Sequence, residues 1–230
     1  MIEMRLSEQR GEANFGWLQS KHSFSFGSYY DPAHRGHGTL LVINDDVVAP
    51  GHGFGTHPHR NMEILSYVME GTIAHRDSEG NEYQVPAGEF QLMSAGTGIT
   101  HSEFNASDEN ELRFLQIWIT PNVVGTKPGY QQKLFASDKQ QQLILSPDGE
   151  QGSLIVKQDA WLTRVKLQAN ESLELDLSRT SKAYIQVVDG DVTVNEVQQA
   201  KAGDGVKLFD EAKISLASNN KPVEALLFEV

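Results

Sequence analysis

Tyr67-Val68-Met69-Glu70-Gly71-Thr72-Ile73 reads as two strand-like runs joined by Glu-Gly, and the pattern returns as Val187-Val188-Asp189-Gly190-Asp191-Val192. An acidic residue followed by glycine between two such runs signals a tight hairpin, because glycine takes up the positive φ of the turn without a steric penalty. A matched second turn follows each hairpin, Pro86-Ala87-Gly88-Glu89 in one half and Lys201-Ala202-Gly203-Asp204 in the other. The offsets are 119 residues from Gly71 to Gly190 and 115 from Gly88 to Gly203. They describe a duplicated unit of somewhat over 100 residues that has lost a few positions.

Outward from these hairpins, the chain is a series of short runs rich in β-branched and aromatic residues, separated by turn residues, with little helical periodicity. Strands are expected near 40–47, 62–69, 72–75, 91–94, 112–120, 154–156, 161–167, 184–188, 192–194 and 223–230. That pattern is all-β, and the repeat makes it two tandem barrels. A length of 230 residues accommodates one large β domain or two small ones. Pro121, Gly125, Pro128, Gly129, the glutamines 140–142 and Ser146-Pro147-Asp148-Gly149 interrupt the strand signal between the halves. The expected division is an N-terminal domain over 1–130, a linker over 131–144 and a C-terminal domain over 145–230.

Composition narrows the chemistry. Nineteen Lys plus Arg stand against 31 Asp plus Glu, a formal charge of −12, which repels a phosphate backbone and argues against direct nucleic-acid binding. Cysteine is absent, so any metal must be held by histidine and carboxylate. Residues 1–11 lack the apolar segment of a secretory signal and no apolar run approaches the roughly 20 residues of a membrane-spanning helix, so a cytoplasmic protein without membrane contact is expected.

All eight histidines lie in the first 101 residues. His57-Pro58-His59 puts two imidazoles on one face if the segment is extended, and His101-Ser102-Glu103 repeats the spacing with an imidazole and a carboxylate. If the two segments face each other across a small barrel, three nitrogens and one oxygen converge and leave positions open for substrate, the arrangement of a catalytic site for a first-row divalent metal. Glu63 shares strand parity with His57 and His59 and could be a ligand, a hydrogen-bond acceptor behind one, or a polar residue paired elsewhere; support behind a ligand ranks first. His52, in Gly51-His52-Gly53-Phe54-Gly55, reads as a loop or supporting residue. His22, His34, His37 and His75 lack a partner at ligand spacing and read as surface or locally bonded histidines. Phe24, Phe26, Tyr29 and Tyr30 read first as packing and second as the lining of an apolar pocket.

The segment Gly51-x5-His57-Pro58-His59-x3-Glu63 followed by Gly71 resembles the first cupin motif, and Gly80-x5-Pro86-Ala87-Gly88 with His101-x3-Asn105 resembles the second. FGTHPHRNMEILSYVMEG over 54–71, AGTGITHSEFN over 95–105, LQIWITP over 115–121 and SFSFGSYYDP over 23–32 resemble the pirin family more specifically. SPDG and GSLIVKQDA extend the likeness into the second half, and it is nearest to bacterial pirin-like quercetin 2,3-dioxygenases. Relative to the general cupin pattern, Glu63 and Gly71 are one residue further apart and His101 follows its turn about ten residues later; both departures resemble pirin.

The resemblance implies a bicupin fold with His57, His59, His101 and Glu103 on one metal ion and Glu63 outside that set. It implies Fe(II), with Ni, Cu, Zn, Mn or Co as alternatives, and a flavonol such as quercetin with O2 as substrates, cleaved to a depside and CO with Glu103 as general base. Two alternatives accompany it: a metal-dependent regulator acting through a protein partner, as pirins of higher organisms are described, and a cupin dioxygenase with another substrate. Under the two offsets, Asp176 and Ser178 stand where His57 and His59 do, and Leu216 and Ser218 where His101 and Glu103 do, so the C-terminal barrel is expected to hold no metal.

Overall fold

The computed structural model describes residues 1–136 and 138–230. The chain opens with β1 (Ile2–Arg5) and continues through β2 (Gly11–Asn14), β3 (Leu18–His22), β4 (Leu40–Val48), β5 (Gly53–His59), β6 (Glu63–Glu70), β7 (Thr72–Asp77), β8 (Glu82–Pro86), β9 (Glu89–Ser94), β10 (Ile99–Asn105), β11 (Leu112–Ile119) and β12 (Gly129–Leu134). The second half forms β13 (Gln141–Ser146), β14 (Leu154–Ile155), β15 (Trp161–Leu167), β16 (Ser172–Asp176), β17 (Lys182–Asp189), β18 (Asp191–Val194), β19 (Gln198–Lys201), β20 (Gly205–Phe209), β21 (Lys213–Ser218) and β22 (Val223–Glu229). Among the described residues, no helix is long and apolar enough to cross a membrane.

These strands make two compact units of one design. In the first, a seven-stranded sheet in the order β12-β9-β6-β11-β4-β3-β2 accompanies a four-stranded sheet β5-β10-β7-β8. In the second, β1-β20-β17-β22-β15-β13-β14 accompanies β16-β21-β18-β19. Position by position the orders correspond, which is the duplication that the hairpins announced. Gly71 and Gly190 carry φ of 78° and 76°. A Cβ on Gly71 would stand 2.9 Å from the Glu111 carbonyl oxygen and one on Gly190 2.3 Å from that of Pro222, so both turns require glycine.

The units do not follow the simple division of the sequence. The first comprises Gly11–Phe135 with Val156–Gln158, and the second comprises Met1–Arg10, Ala136–Ile155 and Asp159–Val230. The N-terminal strand β1 is the outer edge of the second unit's large sheet, paired with β20, where β12 is the outer edge of the first, paired with β9. The stretch 131–144, expected as a linker, contains most of β12 and the start of β13. Edge strands escape a periodicity reading because only one side is paired and the inward alternation is weak.

The interiors differ. In the second unit, seventeen buried apolar residues, from Val165 to Leu227, form one continuous cluster. In the first unit the apolar core is divided. Leu18, Val48, Val68, Ile73, Val85, Leu112 and Phe114 form one part, and Ile64, Met93, Ala95 and Ile99 form another. Between them runs a polar row set by strand register: His22 lies across from Asn44, Asn44 from Gln116, Gln116 from Ser66, Ser66 from Gln91 and Gln91 from Gln132.

Candidate metal centre

The site is built on the small sheet of the first unit, in which β10 lies between β5 and β7. Along β10, Ile99, His101, Glu103 and Asn105 are buried while the residues between them are not, so His101 and Glu103 share the inward face by strand parity. Register places His101 across from His57 on one side and Asp77 on the other, and Glu103 across from His75. The β5–β10 ladder slips between His101 and Glu103, with three steps on β5 against two on β10; such a bulge re-aims the side chains beside it.

His57, His59 and His101 come together with one nitrogen of each within 4.8 Å of the others. The Nδ1 of His57 lies 2.8 Å from the Gly55 carbonyl oxygen, an atom that only accepts, so the proton sits on Nδ1 and the Nε2 lone pair is free to ligate. That Nε2 faces the Nε2 of His101 at 3.0 Å. Burial first, then the neighbouring imidazoles, depress His59 to about 4 and His101 to about 3, which leaves both neutral at physiological pH. The Nδ1 of His101 is buried without a partner. Convergent neutral imidazoles with this orientation suit a divalent first-row ion.

Glu103, 2% exposed, is fastened by the polar row. Ser66 Oγ and Gln91 Nε2 donate to its Oε1 at 3.3 and 3.2 Å, and Gln116 Nε2 donates to its Oε2 at 3.2 Å. The Tyr130 hydroxyl lies 2.7 Å from Gln132 Oε1 and 3.1 Å from Gln91 Oε1, so its one proton is shared between two amide oxygens at the end of the row. The carboxylate clusters with His101 and His75 within 4.8 Å rather than with His57 and His59.

His75 is the residue that sequence reasoning missed. It is 1% exposed, its Nε2 lies 3.2 Å from Asp77 Oδ2, and its ring packs 5.4 Å from that of His101 and 4.9 Å from that of Tyr130. The signal was there: His75-x-Asp77 has the same i, i+2 spacing as the two chosen pairs. His22, also read as a local or surface histidine, is buried in the polar row.

Glu63 is placed elsewhere. Its buried carboxylate accepts from Ser94 Oγ at 2.7 Å and the Lys157 backbone N–H at 3.4 Å, so it holds the 156–158 segment rather than a metal ligand. His52 is a loop residue, its Nδ1 2.7 Å from the Pro50 carbonyl. Of the aromatic group, Phe24 is core and Tyr30 is exposed, whereas Phe26 lines a cavity of about 440 Å³. His57 and His59 open on that cavity, and Trp17, Phe54 and Trp118 supply much of its wall.

The family model described as Pirin matches residues 3–119, and the one described as Quercetinase C-terminal cupin domain matches 143–230. The chain is 50% identical to the quercetin 2,3-dioxygenase of Escherichia coli strain K12, covering all of this chain and 99% of that one. It is 38% identical to a pirin-like protein of the same strain, covering 100% and 99%. The crystal structure of the bacterial pirin YhhW from Escherichia coli in complex with nickel(II) superposes with a TM-score of 0.96 at 50% identity, covering 100% of this chain and 99% of that one.

Proposed function

The chain belongs to the pirin family, and from that premise we propose that it is a metal-dependent dioxygenase that opens the heterocyclic ring of a flavonol such as quercetin with O2, releasing one ring carbon as CO and leaving a depside. The observation that carries the reading is the convergence of three imidazoles, His57 among them oriented by the Gly55 carbonyl, beside a fastened carboxylate and an aromatic-walled cavity. His57, His59, His101 and Glu103 are the proposed ligands of one divalent ion. Fe(II) is the proposed native metal; Ni, Cu, Zn, Mn and Co suit the same donors.

When bound, the ion supplies Lewis acidity that lowers the pKa of a flavonol hydroxyl. The remaining work falls to the chain. Glu103 takes the 3-hydroxyl proton, and Ser66, Gln91 and Gln116 hold its carboxylate in position to do so. Trp17, Phe54 and Trp118 accept the planar rings and exclude water from them.

The test is anaerobic purification with elemental analysis, reconstitution with Fe(II), and oxygen uptake with quercetin. Turnover that disappears together with the metal in His101→Ala supports the reading. A fully metallated protein that consumes no oxygen with quercetin overturns it.

A further inference from the structure

Part of the cavity wall is not used by the metal reading: Ser20 and His22 of β3 and Asn44 and Asp46 of β4. Register sets Ser20 across from Asp46 and His22 across from Asn44. Their hydrogen bonds run in one direction. His22 Nδ1 lies 2.8 Å from Asn44 Oδ1, so its one proton is directed at Asn44; Ser20 Oγ, 3.3 Å from the same nitrogen, donates its own proton to Asp46 Oδ1.

Asp46 is 2% exposed, and the Ser20 hydroxyl is the one hydrogen-bond donor it meets among the described residues. Its Oδ2 therefore has no hydrogen-bond partner among the described residues, on a side chain that lines a cavity. A polar atom in that state on a cavity wall is free to bond an occupant of the cavity. The surrounding wall says what the occupant is. Phe54 stands edge-on to Trp17 and Phe26 edge-on to Trp118, each with centroids 5.4 Å apart, which are surfaces for flat rings.

We propose that Asp46, held by Ser20, is a specificity-determining hydrogen-bond partner for a phenolic hydroxyl carried on a ring remote from the metal-chelating group of the ligand. This rests on the flavonol reading and sharpens it. The preferred substrates are hydroxylated on the outer rings, and the discrimination resides in a side chain separate from the metal ligands.

The test uses the metal-reconstituted protein without oxygen, so that binding is read without turnover, through quenching of Trp17 and Trp118. The probes are quercetin and 3-hydroxyflavone, which share the chelating group and differ in the outer hydroxyls. Wild type should favour quercetin, and Asp46→Leu should reduce that preference about tenfold or more while leaving 3-hydroxyflavone affinity and metal content unchanged. An unchanged preference overturns the proposal, as does a wild type without one. If Asp46→Leu fails to fold, Ser20→Ala should move the preference in the same direction by a smaller factor, and no movement overturns the proposal. A wild type that binds neither probe removes the flavonol reading itself, which the variants alone cannot do.

Discussion

The two units share a strand order and differ in what fills them. The second devotes its interior to one apolar cluster, where each fully buried aliphatic side chain contributes about 1.5–3 kcal/mol. The first gives up that continuity. A polar row from His22 through Asn44, Gln116 and Ser66 to Gln91 divides its core, and Glu103 rests on three of those side chains. Buried polar atoms are tolerated only when they are paired, so the row is the structural condition for a buried carboxylate at this position. Among the described residues, both clusters able to hold an ion lie in the first unit.

The largest expected effect tests this asymmetry directly. His101→Ala should abolish metal binding and turnover together, by elemental analysis and oxygen uptake. The second barrel offers no substitute: Leu216, which the repeat offset matches to His101, is fully buried in the apolar cluster. A variant that kept its stoichiometric ion would break the comparison. Next in size is Glu103→Gln, which keeps an oxygen on the same face but loses the charge. Metal content should fall little, and kcat should fall by about 10²–10⁴-fold; near-normal turnover would remove Glu103 from the role of base.

Much of the contrast was legible in the sequence, and the misses have physical causes. The hairpins at Gly71 and Gly190 were readable because a positive φ beside a second backbone leaves no other residue. The strands that carry the site, Gly53–His59 and Ile99–Asn105, show no apolar alternation because their inward positions are occupied by histidine and glutamate. His75 was passed over because its i, i+2 partner is Asp77, and β7 reaches the site only through β10. The offset of 119 also fails within β16: Leu216 pairs with Leu173, while Asp176 pairs with Lys213. Turn positions fix the repeat but do not fix the register of every strand between them.

The apolar unit should be the more sensitive to lost volume. Leu216→Ala leaves a cavity among fully buried neighbours and should cost about 3–5 kcal/mol in denaturant unfolding, with no change in metal per folded chain. A cost below about 1 kcal/mol would mean that this interior collapses around the gap and is less tightly packed than its burial indicates.

The smallest effect concerns Asp46 and separates the two kinds of core by pH. Burial, with the charges of Asp45 and Glu103, raises its carboxyl to about 7 from an ordinary 3.8, against the pull of the Ser20 hydroxyl. Between those values the native chain holds the proton that the unfolded chain has released. Stability from this group is therefore complete below about pH 4, declines as pH rises toward 7, and is level above it. His59 and His101, whose depressed values make the native chain the less protonated state, act in the opposite direction over part of the same range. The absolute pH profile thus mixes the two, but the difference between wild type and Asp46→Asn cancels the histidines. From pH 5 to 7.5 that difference should shift by about 2–3 kcal/mol in favour of the asparagine variant. A flat difference would mean that Asp46 remains ionised in the native cavity, and the unpartnered Oδ2 would then face an occupant or water already in place.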